Sequence, residues 1–147
     1  MKKALKIILL CSLLLCVFGC SSDPNKIDGK YVVNGYQTAH KDEAVYTWQE
    51  LNNDQFYVVI EKAKIVKVYL NGSTFTGNFE GKGNSWNTVI TWGSGNGPAD
   101  VIFDGFNHHH TNIGVKDGEL ELNFYLSLYS TGDWTERASI RFERVDE

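Results

Sequence analysis

ELELNFYLSLY, residues 119–129, sets Leu120, Leu122, Phe124, Leu126 and Leu128 at every second position, with Glu119, Glu121, Asn123, Tyr125, Ser127 and Tyr129 between them. Side chains of an extended chain alternate between its two faces, so this spacing makes a strand with one face turned to a core and one to water. The dipeptide Asp117-Gly118 stands directly before it. Asp-Gly suits the type I′ turn, whose two positive φ angles match strand twist, so the strand is entered from a tight hairpin.

The same two signals recur along the chain. Asn71-Gly72 separates 64–70 from 73–80 and is a second hairpin turn. From about Trp134 to Val145, Ala138, Ile140 and Phe142 alternate with Arg137, Ser139, Arg141 and Glu143. Phe75, Gly77 and Phe79 share one face of a strand, as do Trp86, Thr88, Ile90 and Trp92. Looser turn clusters at 81–84, 93–98 and 130–133 divide the remainder. Asn34-Gly35 interrupts the first strand as a bulge, because a hairpin there leaves a very short arm. Strands are expected near 30–38, 44–51, 55–61, 64–70, 73–80, 85–92, 99–106, 109–116, 119–129 and 134–145. No stretch of helical periodicity and no internal repeat accompanies them.

Short links place each strand beside its predecessor, an antiparallel meander rather than a Greek key. A meander of eight or more strands removes its exposed edges by closing. The expected fold class is therefore all-β: an up-and-down barrel of eight to ten strands over residues 27–147. An eight-stranded barrel is just wide enough inside to be filled by side chains or to hold one small ligand.

The amino terminus sets where this barrel works. Met1, Lys2, Lys3 and Lys6 precede an apolar stretch from Ile7 to Phe18 broken only by Ser12. That is short for a membrane span and matches the core of a secretory signal. Val17-Phe18-Gly19-Cys20 closes the stretch. These four residues resemble the bacterial lipobox, which implies cleavage of 1–19, a diacylglycerol thioether on Cys20 and a further acyl chain, such as palmitate, on its amine. Two or more acyl chains anchor stably where one holds only marginally. Residues 20–26 then form a polar tether, and the resemblance places the domain on the extracytoplasmic face of the cell membrane. In a Gram-negative source, Ser21 after the cysteine resembles the signal for the outer membrane.

Two consequences follow from the cut. Cys11, Cys16 and Cys20 are all the cysteines, so no disulfide framework survives and stability must come from the core. Loss of Lys2, Lys3 and Lys6 leaves 11 basic residues against 18 acidic ones, a formal charge of −7. Such a surface gains nothing from phosphate counterion release, so nucleic acid is not an expected partner.

Ile27-Asp28-Gly29-Lys30-Tyr31 opens the barrel. It resembles the start of the lipocalins and the wider calycin group, with tyrosine in place of the family's tryptophan. The resemblance implies that Gly29, Tyr31 and a basic residue of the last strand, Arg141 or else Arg144, close one end. A guanidinium over an aromatic face contributes about 0.5–2 kcal/mol. It also implies a small hydrophobic or amphipathic ligand, without a cofactor. The Thr-Asp-Tyr motif of the family is absent; Thr131-Gly132-Asp133-Trp134 stands nearest to it.

Four tryptophans, seven tyrosines and, once Phe18 is lost with the cut segment, seven of the eight phenylalanines supply the pocket or core. Trp86, Trp92, Phe75, Phe79 and Phe124 are the candidates to line a mouth and grip an apolar or sugar ligand. His108 and His110 in Asn107-His108-His109-His110 share a face of any strand they occupy and are a weak metal candidate, short of the three or four ligands a zinc site needs. The tract otherwise reads as a polar hairpin between 100–106 and 109–116. Gly93-Ser94-Gly95-Asn96-Gly97-Pro98 lacks the Lys-Ser/Thr and helix of a phosphate loop and reads as a rim loop. No nucleophile elbow or surviving catalytic cysteine is present, so no enzyme is expected. The alternative to a ligand barrel is a protein-interaction or inhibitor module of the cell envelope that uses the loops 93–98 and 107–112.

Overall fold

A computed structural model describes residues 27–40, 49–50, 53–80, 88–128 and 134–145. The lipobox with Cys20, the tether, Trp86 and the turns at 81–84 and 130–133 lie outside the described residues.

Period-two alternation becomes nine strand segments: β1 (Gly29–His40), β2 (Gln49–Glu50), β3 (Phe56–Glu61), β4 (Ile65–Leu70), β5 (Ser73–Asn78), β6 (Thr88–Trp92), β7 (Phe106–Lys116), β8 (Glu119–Leu128) and β9 (Trp134–Val145). From β3 to β9 each pairs antiparallel with the next, and β9 returns to pair with β1. β2 and β3 follow one another along the edge of β1 that β9 does not use, β2 against Gly35 and Tyr36 and β3 against Gly29–Val32. The nine segments thus make an eight-stranded closed barrel, as expected from the sequence. Closure leaves no long edge on which another chain could template.

The apolar parity lies inside. Leu120, Leu122, Phe124 and Leu126 of β8 are buried, opposite Val115, Ile113 and Thr111 of β7 and Phe142, Ile140 and Ala138 of β9. Val58, Val66 and Val68 complete the far wall. Phe142 meets Phe56 edge-on across the interior, ring centroids 5.1 Å apart. Outside, Tyr57 lies between Tyr69, stacked at 4.5 Å, and the Lys30 ammonium, 4.3 Å from its centroid.

Turn chemistry sets the register. Asn71 and Gly72 have φ 48° and 83°, and Asp117 and Gly118 have φ 51° and 84°, the left-handed pairs the sequence predicts. The pairing slips between Val33 and Gly35, which is the expected bulge. A third turn carried no such signal: Lys62 and Ala63, between β3 and β4, take φ 54° and 51° without a glycine. A left-handed residue with a Cβ costs about 1–2 kcal/mol. Asp28 offsets this, because its carboxylate accepts from Lys62 N at 2.8 Å and Ala63 N at 2.6 Å. Hydrogen bonds to a charged group contribute about 1.5–3 kcal/mol each.

One expected strand is corrected. Residues 99–106 do not form a strand: Ala99–Ile102 is a single helical turn, α1, and β7 begins only at Phe106. Pro98 stands at its N-cap and its carbonyl accepts from Val101 N and Ile102 N, while Asp100 accepts from Asn96. These local bonds outweigh a short run of alternation. The tract 107–112 is correspondingly no hairpin loop but the first half of β7.

Candidate functional site

The two ends of the barrel differ. At the end where β1 starts, Tyr31 is fully buried and donates its hydroxyl to Ile27 O at 2.6 Å. Burial raises its phenol pKa above the usual range, a shift opposed by the Arg144 charge and reinforced by Asp28. Arg144 faces Tyr31 across the β1–β9 ladder, and a Cβ on Gly29 would lie 3.1 Å from its Nε. Arg141 is placed elsewhere. Its strand neighbours Ile140 and Phe142 point in, so it points out, opposite Glu121 and Gly35. The basic residue at Gly29 and Tyr31 is Arg144, and parity along β9 is the reason.

At the other end, residues 93–105 leave β6 and cross the mouth. Beneath them is a cavity of about 250 Å³ with an apolar lining. Tyr36 of β1, Phe56 of β3 and Ala138 and Ile140 of β9 form its walls, and Ile102 and Phe103 form its roof. Phe103 is seated on Phe124, ring centroids 5.2 Å apart. Below this level the interior is occupied by the side chains of Phe142, Phe124, Leu120 and Leu122. Ligand pockets are mostly apolar, and the surface of this one is almost wholly so.

The expected aromatics do not gather there. Phe124 is core beneath the pocket, Phe79 is buried beside a cleft of about 430 Å³ with Lys64, Asn78 and Val89, and Phe75 is partly buried against the core. Trp92 points in and donates its indole Nε1 to Thr111 Oγ1 at 3.3 Å. The residues that do line the pocket were readable only in part. Ala138, Ile140 and Phe56 fall on inward positions of their strands, whereas Ile102 and Phe103 reach it through α1, which no periodicity announces.

The histidines are separated rather than joined. An extra residue, His109, makes the β7–β8 register slip between His108 and His110. His108 therefore points in and shares a 2.8 Å hydrogen bond with Thr111 Oγ1, while His110 points out and stacks on Tyr125 at 4.3 Å. A bulge changes side-chain parity, which removes the shared face on which a common metal would rest. His109 Nε2 instead bonds Ser127 Oγ at 2.9 Å. Among the described residues no group of three or more metal-ligating side chains converges.

His108 is a stability device of the mouth. Its pKa is lowered from 6.5, first by burial, with Asp100 opposing the shift and His110 and His109 adding to it. Above pH 6.5 both folded and unfolded chains hold it neutral, so its contribution is fully present. As pH falls below 6.5 the unfolded chain takes up a proton that the folded chain resists, and stability declines until the folded pKa is passed. His110 is lowered in the same direction by burial and His109. Urea midpoints are expected to fall between pH 7.5 and about 5.5, within the range where histidine titrates. His108→Gln, which keeps a hydrogen bond to Thr111, should flatten that decline.

A scan against models of protein families finds no match for this chain, and a search of curated proteins finds none either.

Proposed function

We propose that this chain is a lipid-anchored, extracytoplasmic lipoprotein of lipocalin-like type whose barrel binds a small hydrophobic or amphipathic ligand. The observation that carries the binding is the apolar cavity of about 250 Å³ at the mouth, bordered by Ile102 and Phe103. Its almost wholly apolar walls suit an apolar segment of such a ligand. The lipocalin-like part of the reading is supported by the closed eight-stranded meander and by Tyr31, Gly29 and Arg144 meeting at one end. The lipid-anchored part rests on Val17-Phe18-Gly19-Cys20. In this reading Cys20 joins the barrel at Ile27, the end away from the mouth, so the pocket opens away from the anchor and draws its ligand from the medium.

Titration with N-phenyl-1-naphthylamine, an apolar fluorophore that brightens out of water, tests the pocket. Saturable one-to-one binding is expected, weakened by about tenfold in Ala138→Leu, a loss of roughly 1.4 kcal/mol. A wild-type chain that never saturates removes this reading. Mass spectrometry of the chain from membranes tests the anchor: a diacylglycerol adduct on Cys20 is expected.

The filled interior favours one second reading. A barrel whose core is occupied from Tyr31 to Phe124 can serve as a rigid platform that presents its surface to a protein of the envelope. Pull-down from solubilised envelope with 93–98 replaced would separate the two, since a ligand barrel does not need that loop to capture protein.

A further inference from the structure

The backbone hydrogen bonds of residues 94–103 close on the segment itself. Gly97 N donates to Ser94 O, Val101 N and Ile102 N to Pro98 O, and Phe103 N to Ala99 O. Asn96 is tied to Asp100 through both its backbone N and its Nδ2. The last bond to the barrel before this stretch is Gly93 N to Thr76 O, and the sheet resumes at Phe106. Between these two points the described residues show no hydrogen bond to the barrel: Phe103 packs on Phe124, Ile102 lies over the cavity, Ala99 is buried in the core, Asp100 acts on His108 through its charge, and Gly97 lies flat against Trp92, where an added Cβ would come within 2.3 Å of the ring.

Such a unit is internally braced and loosely attached. Its ends carry backbone freedom, with Gly95 at φ 54° on one side and Gly105 at φ 87° on the other. Around Gly105 no heavy atom lies within 4 Å of where a Cβ would stand, so nothing packs against that hinge. The outward residue Val101 of the unit is 56% exposed, so little covers it from above.

We propose that residues 93–105 are a lid that lifts off the barrel as one unit, turning about Gly93–Gly95 and Gly105, and that this movement widens the way by which the ligand enters the mouth cavity. The proposal rests on the reading of that cavity as a ligand pocket. Ile102 and Phe103 line the cavity and belong to the lid at once, so lifting the lid widens the opening of the cavity. Breaking the seat requires parting Phe103 from Phe124, Ala99 from the core and Gly97 from Trp92, with no hydrogen bond to the barrel lost between Ser94 and Phe103 among the described residues. That places its opening at the low-energy end of local unfolding, well below global unfolding.

Amide hydrogen exchange on the full chain without ligand tests the movement. The amides of Gly97, Val101, Ile102 and Phe103 are expected to exchange with one common opening, at least about tenfold faster than Ile113 and Val115 of β7. Phe103→Ala should speed those four further and leave β7 and β8 unchanged. Lid amides as protected as Ile113, or four unrelated rates, overturn the lid. Binding of N-phenyl-1-naphthylamine keeps the two claims apart. A chain that takes the probe while its lid amides exchange at the barrel rate loses the lid and keeps the pocket; a lid that opens as a unit on a chain that refuses the probe loses the pocket and the lid's role in admitting a ligand.

Discussion

Replacing Phe142 by alanine is expected to destabilise the barrel by about 4 kcal/mol, within the range for large aromatic deletions from a core. Phe142 has no exposed surface, stands opposite Leu120 on one side and Val33 on the other, and meets Phe56 edge-on at 5.1 Å. The loss combines the transfer of the ring, a cavity its neighbours fill only in part, and the aromatic pair, which by itself contributes about 0.5–1.5 kcal/mol. Because β9 pairs with β8 and with β1, this ring sits at the seam that closes the barrel. Urea unfolding followed by far-UV circular dichroism should show the midpoint fall with little change in slope. Phe142→Leu, which keeps most of the volume, should recover at least half of the loss. A cost below 1 kcal/mol for Phe142→Ala would falsify the account of a solid core at this level.

Gly77→Ala is the second large effect, and its cause is the opposite one. A Cβ at position 77 would lie 2.5 Å from Ile90 Cγ2 and 2.9 Å from Trp92 Cε3, with Thr91 O at 3.2 Å. The clash is with two β6 side chains and with backbone, so neither a rotamer change nor a single shift relieves it. Overpacking of this kind costs about 1–3 kcal/mol. The barrel tolerates it poorly here because β5 and β6 are joined by just two described residue pairs, Gly77 with Trp92 and Asn78 with Thr91. The indole of Trp92 is also tied to Thr111, so its displacement disturbs the bond that Thr111 shares with His108. Tryptophan emission should shift together with the unfolding midpoint. In the double variant Gly77→Ala/Ile90→Ala the costs should fall short of additive, since removal of Cγ2 gives the new methyl its space.

These two sites show how far the sequence could be read. Alternation put Phe142, Ile140 and Ala138 on one face, and β9 carries them inward together. Gly77 was placed on the face of Phe75, which holds, but that a strand would cross close enough to forbid a methyl depends on a side chain from β6 and cannot be seen along β5. Asn71-Gly72 and Asp117-Gly118 were legible because their turn type needs those residues. Lys62-Ala63 was silent, since its support comes from Asp28, 34 and 35 residues away.

What the sequence by itself determined was the set of properties that are periodic or local: the all-β class, the antiparallel meander, the two glycine turns, the bulge near Asn34 and the inward set of side chains. Each follows from backbone geometry within a few residues. What only the tertiary structure decided was the content of both ends. The choice of Arg144 over Arg141 depends on which parity of β9 reaches Gly29. The separation of His108 from His110 depends on a single extra residue that β8 fails to match. The pocket depends on α1, a turn too short to carry a pattern, folding back over strands to which no hydrogen bond ties it among the described residues. Local geometry is written in neighbouring residues; a roof is written in contacts between residues far apart in the chain.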